Sequence, residues 1–182
     1  MDVKSSGSPV GPENTSSPAP GEDYASNARR DRFWVIAQFV LIFFFVLAPG
    51  LPIYEVGDLP FTFRYGYQLA AFVLFLVGLY IMTRGIINLS RNLTPLPSPR
   101  ETSWIVRNGV YSLVRHPIYT GILLACLAYA LRRCSITHFA LWIVLVWFFD
   151  RKSRYEEAKL VEKHPEYAEY AKTAKRFFPY IY

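Results

Sequence analysis

The chain has 182 residues, with 20 Lys and Arg against 14 Asp and Glu, a formal charge of +6, and 52% apolar residues. Charged residues make up only 19% and aromatic ones 17%, which excludes a wholly disordered chain; the length leaves no room for two independent globular cores. Two cysteines, Cys126 and Cys134, exclude a disulfide framework and a four-cysteine zinc site, and no metal is expected.

Residues 1–28 are rich in Ser, Pro and Gly and contain no apolar run. Asp2, Glu13, Glu22 and Asp23 against Lys4 make this stretch net −3, so the remainder carries +9. Such a tail buries too little to offset its ordering entropy and reads as disordered. It has neither the apolar centre of a secretory signal nor the acid-poor composition of a transit peptide.

The composition changes abruptly after Arg29, Arg30 and Arg32, and residues 29–182 read as one membrane domain. Helices are expected near 33–50, 67–84, 117–131 and 136–150. The first two contain uncharged runs that rise roughly 25 Å as helices, close to the ~30 Å hydrocarbon layer. A chain this short has no outer layers in which to hide two all-apolar helices, so a bilayer is expected around them. The last two lie on either side of Arg132-Arg133-Cys134-Ser135 and form a helical hairpin. Each offers only ~21 Å of strictly apolar helix, so it either draws on flanking residues to cross or is partly re-entrant. The expected fold is all-α and integral to the membrane, with about four transmembrane helices and an amphipathic C-terminal helical segment over 151–180.

Charge placement orients this arrangement. Four crossings put 17 of the 20 basic residues on the side of the tail, the 84–115 loop and the C-terminal segment, leaving Arg64, Arg132 and Arg133 opposite. The positive-inside rule then places both termini in the cytoplasm. The membrane is expected to be the endoplasmic reticulum in a eukaryote or the inner membrane in a bacterium. The basic excess is accounted for by orientation, so no nucleic-acid partner is expected; membrane lipids are.

The residues that carry chemistry gather on that cytoplasmic side. Arg115 and His116 precede Pro117, which suits the first turn of the third helix. A helix mouth with free N–H groups favours an anion such as a carboxylate. Tyr119 follows about one turn on, and Gly121 allows close approach. Alone, His116 reads equally well as a helix cap and Tyr119 as part of an aromatic belt; together with Arg115 they point to a site. Beyond the fourth helix, Phe149, Ser153, Glu156 and Leu160 share one stripe if the helix continues, with Glu157 beside it. A carboxylate there suits a cation or an ammonium group, although the same spacing suits a solvated helix with Asp150–Arg154-type pairs.

The ordered set Gly109-x-Tyr111-x3-Arg115-His116-Pro117-x-Tyr119-x-Gly121, an apolar hairpin, then Glu156-Glu157, Tyr167, Tyr170 and Pro179 resembles the isoprenylcysteine carboxyl methyltransferase family. That family groups with the phospholipid N-methyltransferases as small integral-membrane enzymes. The resemblance implies S-adenosylmethionine as cofactor, in a pocket at the cytoplasmic face under the C-terminal segment. It implies cofactor contacts from His116 and Tyr119 and from the paired Glu156 and Glu157, with Arg115 or His116 near the cofactor carboxylate and Gly121 in the same element. Arg154 and Glu157 are assigned to catalysis or acceptor binding. The implied activity is methyl transfer to a lipophilic acceptor from the bilayer, foremost the carboxyl group of an isoprenylcysteine. The Gly-x-Gly cofactor element of the phospholipid N-methyltransferases does not follow the third helix, which favours the carboxyl branch over phospholipid or small-molecule N- or S-methylation.

Two other readings compete. Sterol-type NADPH-dependent membrane reductases carry a similar Arg-His-Pro region, but they are longer, and an acidic pair suits a sulfonium better than a pyrophosphate. In a non-enzymatic membrane scaffold, Arg115, His116, Tyr119 and Glu156 would point apart.

Overall fold

The computed structural model describes residues 20–52, 61–89 and 104–179. The tail expectation for residues 1–19, the Asn92-to-Pro97 loop and the residues after Pro179 fall outside these. Among the described residues the chain is all-helical: α1 (Pro20–Leu47), α2 (Phe61–Leu89), α3 (Pro117–Arg133), α4 (Ile136–Lys163) and α5 (Tyr167–Thr173), with a short 3-10 turn at Gly109–Ser112 before α3.

Several boundaries differ from expectation, α2 among them, which runs over 61–89 rather than 67–84. Helix α1 begins at Pro20, so residues 20–28, assigned to the tail, are helical; proline at a first helical position loses no bonded N–H. Helix α4 runs 13 residues past the expected end at 150, carrying the acidic pair on the same rigid rod as the apolar run. Among the described residues, one helix, Tyr65–Leu89, is long and apolar enough by length and composition to cross a membrane.

Neighbouring helices pack in the order α2, α3, α4, α1. Contacts between α3 and α4 run in opposite directions along the two helices: Tyr129 meets His138, Trp142 Nε1 donates to the Leu123 carbonyl at 2.8 Å, and Tyr119 meets Phe149. The two are linked by Cys134, in the left-handed region at φ 44°, and Ser135, whose hydroxyl caps α4 by accepting from the His138 N–H. Phe45 of α1, Leu123 of α3, Leu145, Phe148 and Phe149 of α4 and Phe177 form the core. Large apolar side chains face outward in quantity, among them Phe39, Phe43 and Phe44 of α1 and Leu69, Phe72 and Tyr80 of α2.

The α2–α3 crossing is set by two glycines. A Cβ on Gly121 would lie 2.5 Å from the Gly78 carbonyl oxygen and 2.5 Å from Met82 Cβ. Gly121 is therefore a contact point between two helices and faces α2, where the backbones approach closely.

Candidate functional site

The site is assembled by a short backbone clamp. Gly109, at φ 62°, turns the chain where Asn88 leaves no space for a side chain, and the 3-10 turn then delivers 113–116 alongside 174–177. The Arg115 N–H donates to the Lys175 carbonyl at 2.7 Å, the His116 N–H to the Arg176 carbonyl at 3.1 Å, and the Lys175 N–H to the Leu113 carbonyl at 3.2 Å. Thr120 Oγ1 ties the first turn of α3 to the Phe177 carbonyl at 2.8 Å. The N–H groups of Arg115 and His116 are thus taken by the strap that follows α5.

Those side chains converge on α4. Arg115 Nε donates to Glu157 Oε1 at 2.8 Å, and Arg176 Nη2 donates to Glu157 Oε2 at 2.7 Å. His116 Nε2 lies 3.1 Å from Glu157 Oε1, and its Nδ1 lies 3.6 Å from Glu156 Oε2. Tyr119 Oη donates to Glu156 Oε1 at 2.5 Å. The His116 and Tyr119 rings stack, 5.4 Å apart and 4° from parallel, between Phe177 and Phe149. His116 occupies the cap position of α3 without capping it, because its ring is turned to the glutamates. The stripe of Phe149, Ser153 and Glu156 faces inward, with Phe149 and Ser153 fully buried.

The two carboxyl groups are each about 13% exposed, yet their environments push them apart. Burial raises the Glu156 carboxyl above the ordinary range, against the pull of His116 and Lys152. Burial acts on Glu157 in the same direction, but hydrogen bonds from His116, Arg176 and Arg115 outweigh it and hold that carboxyl well below the ordinary range. Burial pushes the Tyr170 phenol, which donates to the Tyr111 carbonyl, up to about 12.

Arg115, His116, Tyr119, Glu156 and Glu157 are therefore together. Arg154 stands apart from them: 54% exposed, it donates to Asp150 at 2.9 Å, and Asp150 also accepts from Arg176, which pairs with Glu157. Its side chain instead lines the neighbouring cleft together with Arg115 and Arg176. Two residues absent from the expected site belong to it. Arg176 braces Glu157 from the strap. Lys152, 2% exposed, donates to Gln38 Oε1 of α1 at 2.6 Å, sits 3.8 Å from Glu156 and lies over the Tyr119 ring. The i, i+4 spacing of Lys152 and Glu156 was a visible signal; the fold-back of Arg176 had no local one.

Beside this cluster opens a cleft of about 330 Å³, lined by Arg115, Arg154, Ala171, Lys172, Ala174, Lys175 and Arg176. His116, Tyr119 and Glu156 lie behind it, packed on one another. The donor set is chemically suited to an amino-acid nucleoside: carboxylates for an ammonium or sulfonium, guanidinium groups for a carboxylate, and the half-buried Tyr119 ring for a purine.

A model of the phospholipid methyltransferase family matches residues 67–166. Protein-S-isoprenylcysteine O-methyltransferase A of Arabidopsis thaliana is 31% identical over 113 residues, 60% of this chain and 57% of that protein. Its B counterpart is 30% identical over 110 residues, 58% and 56% respectively. A cobalt-zinc-cadmium resistance protein of Cupriavidus metallidurans is 35% identical over 83 residues, 45% and 38%. The chain spans a little over half the length of the plant relatives. The matched stretch contains both the Arg115-His116-Pro117 element and the Glu156–Glu157 pair, and with the isoprenylcysteine enzymes among its relatives the chain belongs to the phospholipid methyltransferase family.

Proposed function

We propose that the protein transfers a methyl group from S-adenosylmethionine to a lipophilic acceptor at the cytoplasmic face of a membrane, foremost a carboxylate of the isoprenylcysteine type. The observation that carries this reading is the convergence of Arg115 and His116 on Glu157, beside Tyr119 on Glu156, all within the stretch matched by the family, with Arg176 joining Glu157 from beyond it. The scaffold alternative requires these groups to point apart. The plant relatives and the missing Gly-x-Gly favour a carboxyl acceptor over an amine.

In the membrane arrangement that goes with this, α1, α2, α3 and the first half of α4 cross the bilayer. The outward Phe, Leu and Ile side chains of α1, α2 and α4 support it, because water would leave them a large apolar surface. The basic excess orients the α4–α5 end to the cytoplasm.

When bound, S-adenosylmethionine supplies a methyl group on a sulfonium that a nucleophile displaces in line. The chain's residues do the rest. Glu157 and Glu156 would receive its positive groups, Arg115 or Arg176 its amino-acid carboxylate, and the Tyr119 ring would offer an apolar face. Because Glu157 is already held by three partners, binding exchanges some of those ion pairs for ligand contacts. A carboxylate acceptor needs no general base, so the task of the site is to hold donor and acceptor in attacking geometry and exclude water.

The test is transfer of labelled methyl from S-adenosylmethionine to a panel of prenylated cysteine, lipid amine and hydrophobic thiol acceptors by the purified protein. Labelling of the prenylcysteine carboxyl group, recovered as base-labile methyl ester, is the expected result. Labelling of the amine alone would replace the acceptor, and no labelling of any acceptor would overturn the reading.

A further inference from the structure

The cleft beside the cluster is bounded by charged side chains of one sign. Its lining contains five cations, Arg115, Arg154, Lys172, Lys175 and Arg176, and no acid. Among the described residues, the carboxylates that pair with them include Asp150, Glu157 and Glu169, while Lys175 adds a cation at the same opening. The walls come from different elements: Arg154 from α4, Lys172 from α5, and Lys175 and Arg176 from the strap.

The depth of the cleft is set by α4. Trp147, 61% exposed, lies under the Arg151 guanidinium at 5.8 Å, an aromatic–cation pair of the kind that marks the hydrocarbon boundary. Phe149 is the last residue of the apolar run, and Arg154 lies about 7 Å further along the helix. The headgroup layer is roughly 5–8 Å thick on each side of the hydrocarbon. On the membrane reading above, on which this placement rests, the cleft opens into that layer.

The geometry points to a binding site for the phosphate of an anionic phospholipid. Arg forks match phosphate oxygens in two-point fashion, and basic pockets at the cytoplasmic ends of membrane helices suit such headgroups. The bound phosphate joins α4 to the strap that carries Arg176, and so holds the strap closed over Glu157. Zwitterionic lipids place a compensating ammonium beside the phosphate and fit an all-cation lining less well.

The test uses the full chain in detergent, titrated with short-chain phosphatidylglycerol, short-chain phosphatidylcholine or inorganic phosphate. Lipid retention is read by native mass spectrometry and the melting temperature by thermal unfolding, both without cofactor. Phosphatidylglycerol is expected to bind and raise the melting temperature, with phosphatidylcholine weaker. The Lys172→Ala/Lys175→Ala double variant is expected to lose about 30-fold in phosphatidylglycerol affinity, at about a tenfold effect or less per lysine. The Lys172→Arg/Lys175→Arg variant is expected to restore it, and Arg132→Ala at the far end of α3 to leave it unchanged. Equal binding of the two lipids, an unchanged double variant, or inorganic phosphate matching the lipid at equal concentration would overturn the proposal. Titration of the double variant with S-adenosylhomocysteine separates this from the cofactor reading: retained affinity shows a folded site, whatever the lipid result.

Discussion

Arg115 and Glu157, 42 positions apart in sequence, meet through a 2.8 Å hydrogen bond, and the same guanidinium donates through Nη1 to the carbonyls of Ala171 and Ala174 at 2.7 and 2.6 Å. One side chain thereby joins the mouth of α3, the outer half of α4 and the strap after α5. Glu157 is the common acceptor of this junction, while Glu156, one residue earlier, faces the Tyr119 hydroxyl and Lys152.

The two glutamates should respond oppositely to neutralisation. Glu157, with its folded-state carboxyl held below the unfolded value, stabilises the protein above the ordinary carboxylate range and loses that contribution as pH falls through the folded value. Glu156, with its value raised by burial, stabilises fully below the unfolded value and loses that contribution as pH rises through the folded one. At pH 7, Glu157→Gln should cost roughly 3 kcal/mol by leaving Arg115 and Arg176 without their common carboxylate. Glu156→Gln should be neutral or stabilising at that pH. Thermal unfolding from pH 4 to 8 checks both, and a similar loss in the two variants would contradict the assignment.

His116→Ala removes a ring held by Glu157 and stacked on Tyr119 while leaving the backbone clamp intact. Cofactor affinity should fall about 10- to 100-fold, the range for a hydrogen bond to a charged group. Arg154→Ala should change it less than about threefold, because an exposed ion pair contributes little. Isothermal titration with S-adenosylhomocysteine measures both.

Gly121→Ala inserts a methyl group where the Gly78 carbonyl and Met82 already stand. The α2–α3 crossing must open, at a cost of about 1–3 kcal/mol, with activity lost through stability rather than through cofactor contact. The melting temperature should drop, and affinity measured well below that temperature should hold.

His138 is fully buried beside Phe45 and Tyr129, and neither ring nitrogen has a hydrogen-bond partner. Replacing an unsatisfied polar ring with an apolar one of similar shape removes its desolvation cost, so His138→Phe should raise the melting temperature by an amount on the order of 1–2 kcal/mol in stability. A lower melting temperature would show that the ring is satisfied by a partner such as water.

Much of this was legible in the sequence because it follows from local pattern. The uncharged runs announced α2 and the inner part of α4, Pro117 marked the start of α3, and the 4-3-4 spacing from Phe149 to Leu160 announced which way Glu156 would face. What escaped depends on chain reversal. Nothing local to Arg176 says that the strap folds back beside Val114, yet that pairing gives Glu157 its second guanidinium. Close approach at Gly121 was legible from its missing side chain, but that the neighbours are Gly78 and Met82 of α2 was not. The placement of Arg154, paired with Asp150, at the wall of the cleft likewise depends on where the strap folds back.

The most direct test of the central claim is titration of the purified protein with S-adenosylhomocysteine and, separately, NADPH, in the wild type and in Glu157→Gln. Saturable binding of S-adenosylhomocysteine, weakened at least tenfold in the variant, with no NADPH binding, is the predicted result. NADPH binding without any response to S-adenosylhomocysteine, or equal affinity in the wild type and the variant, would contradict it.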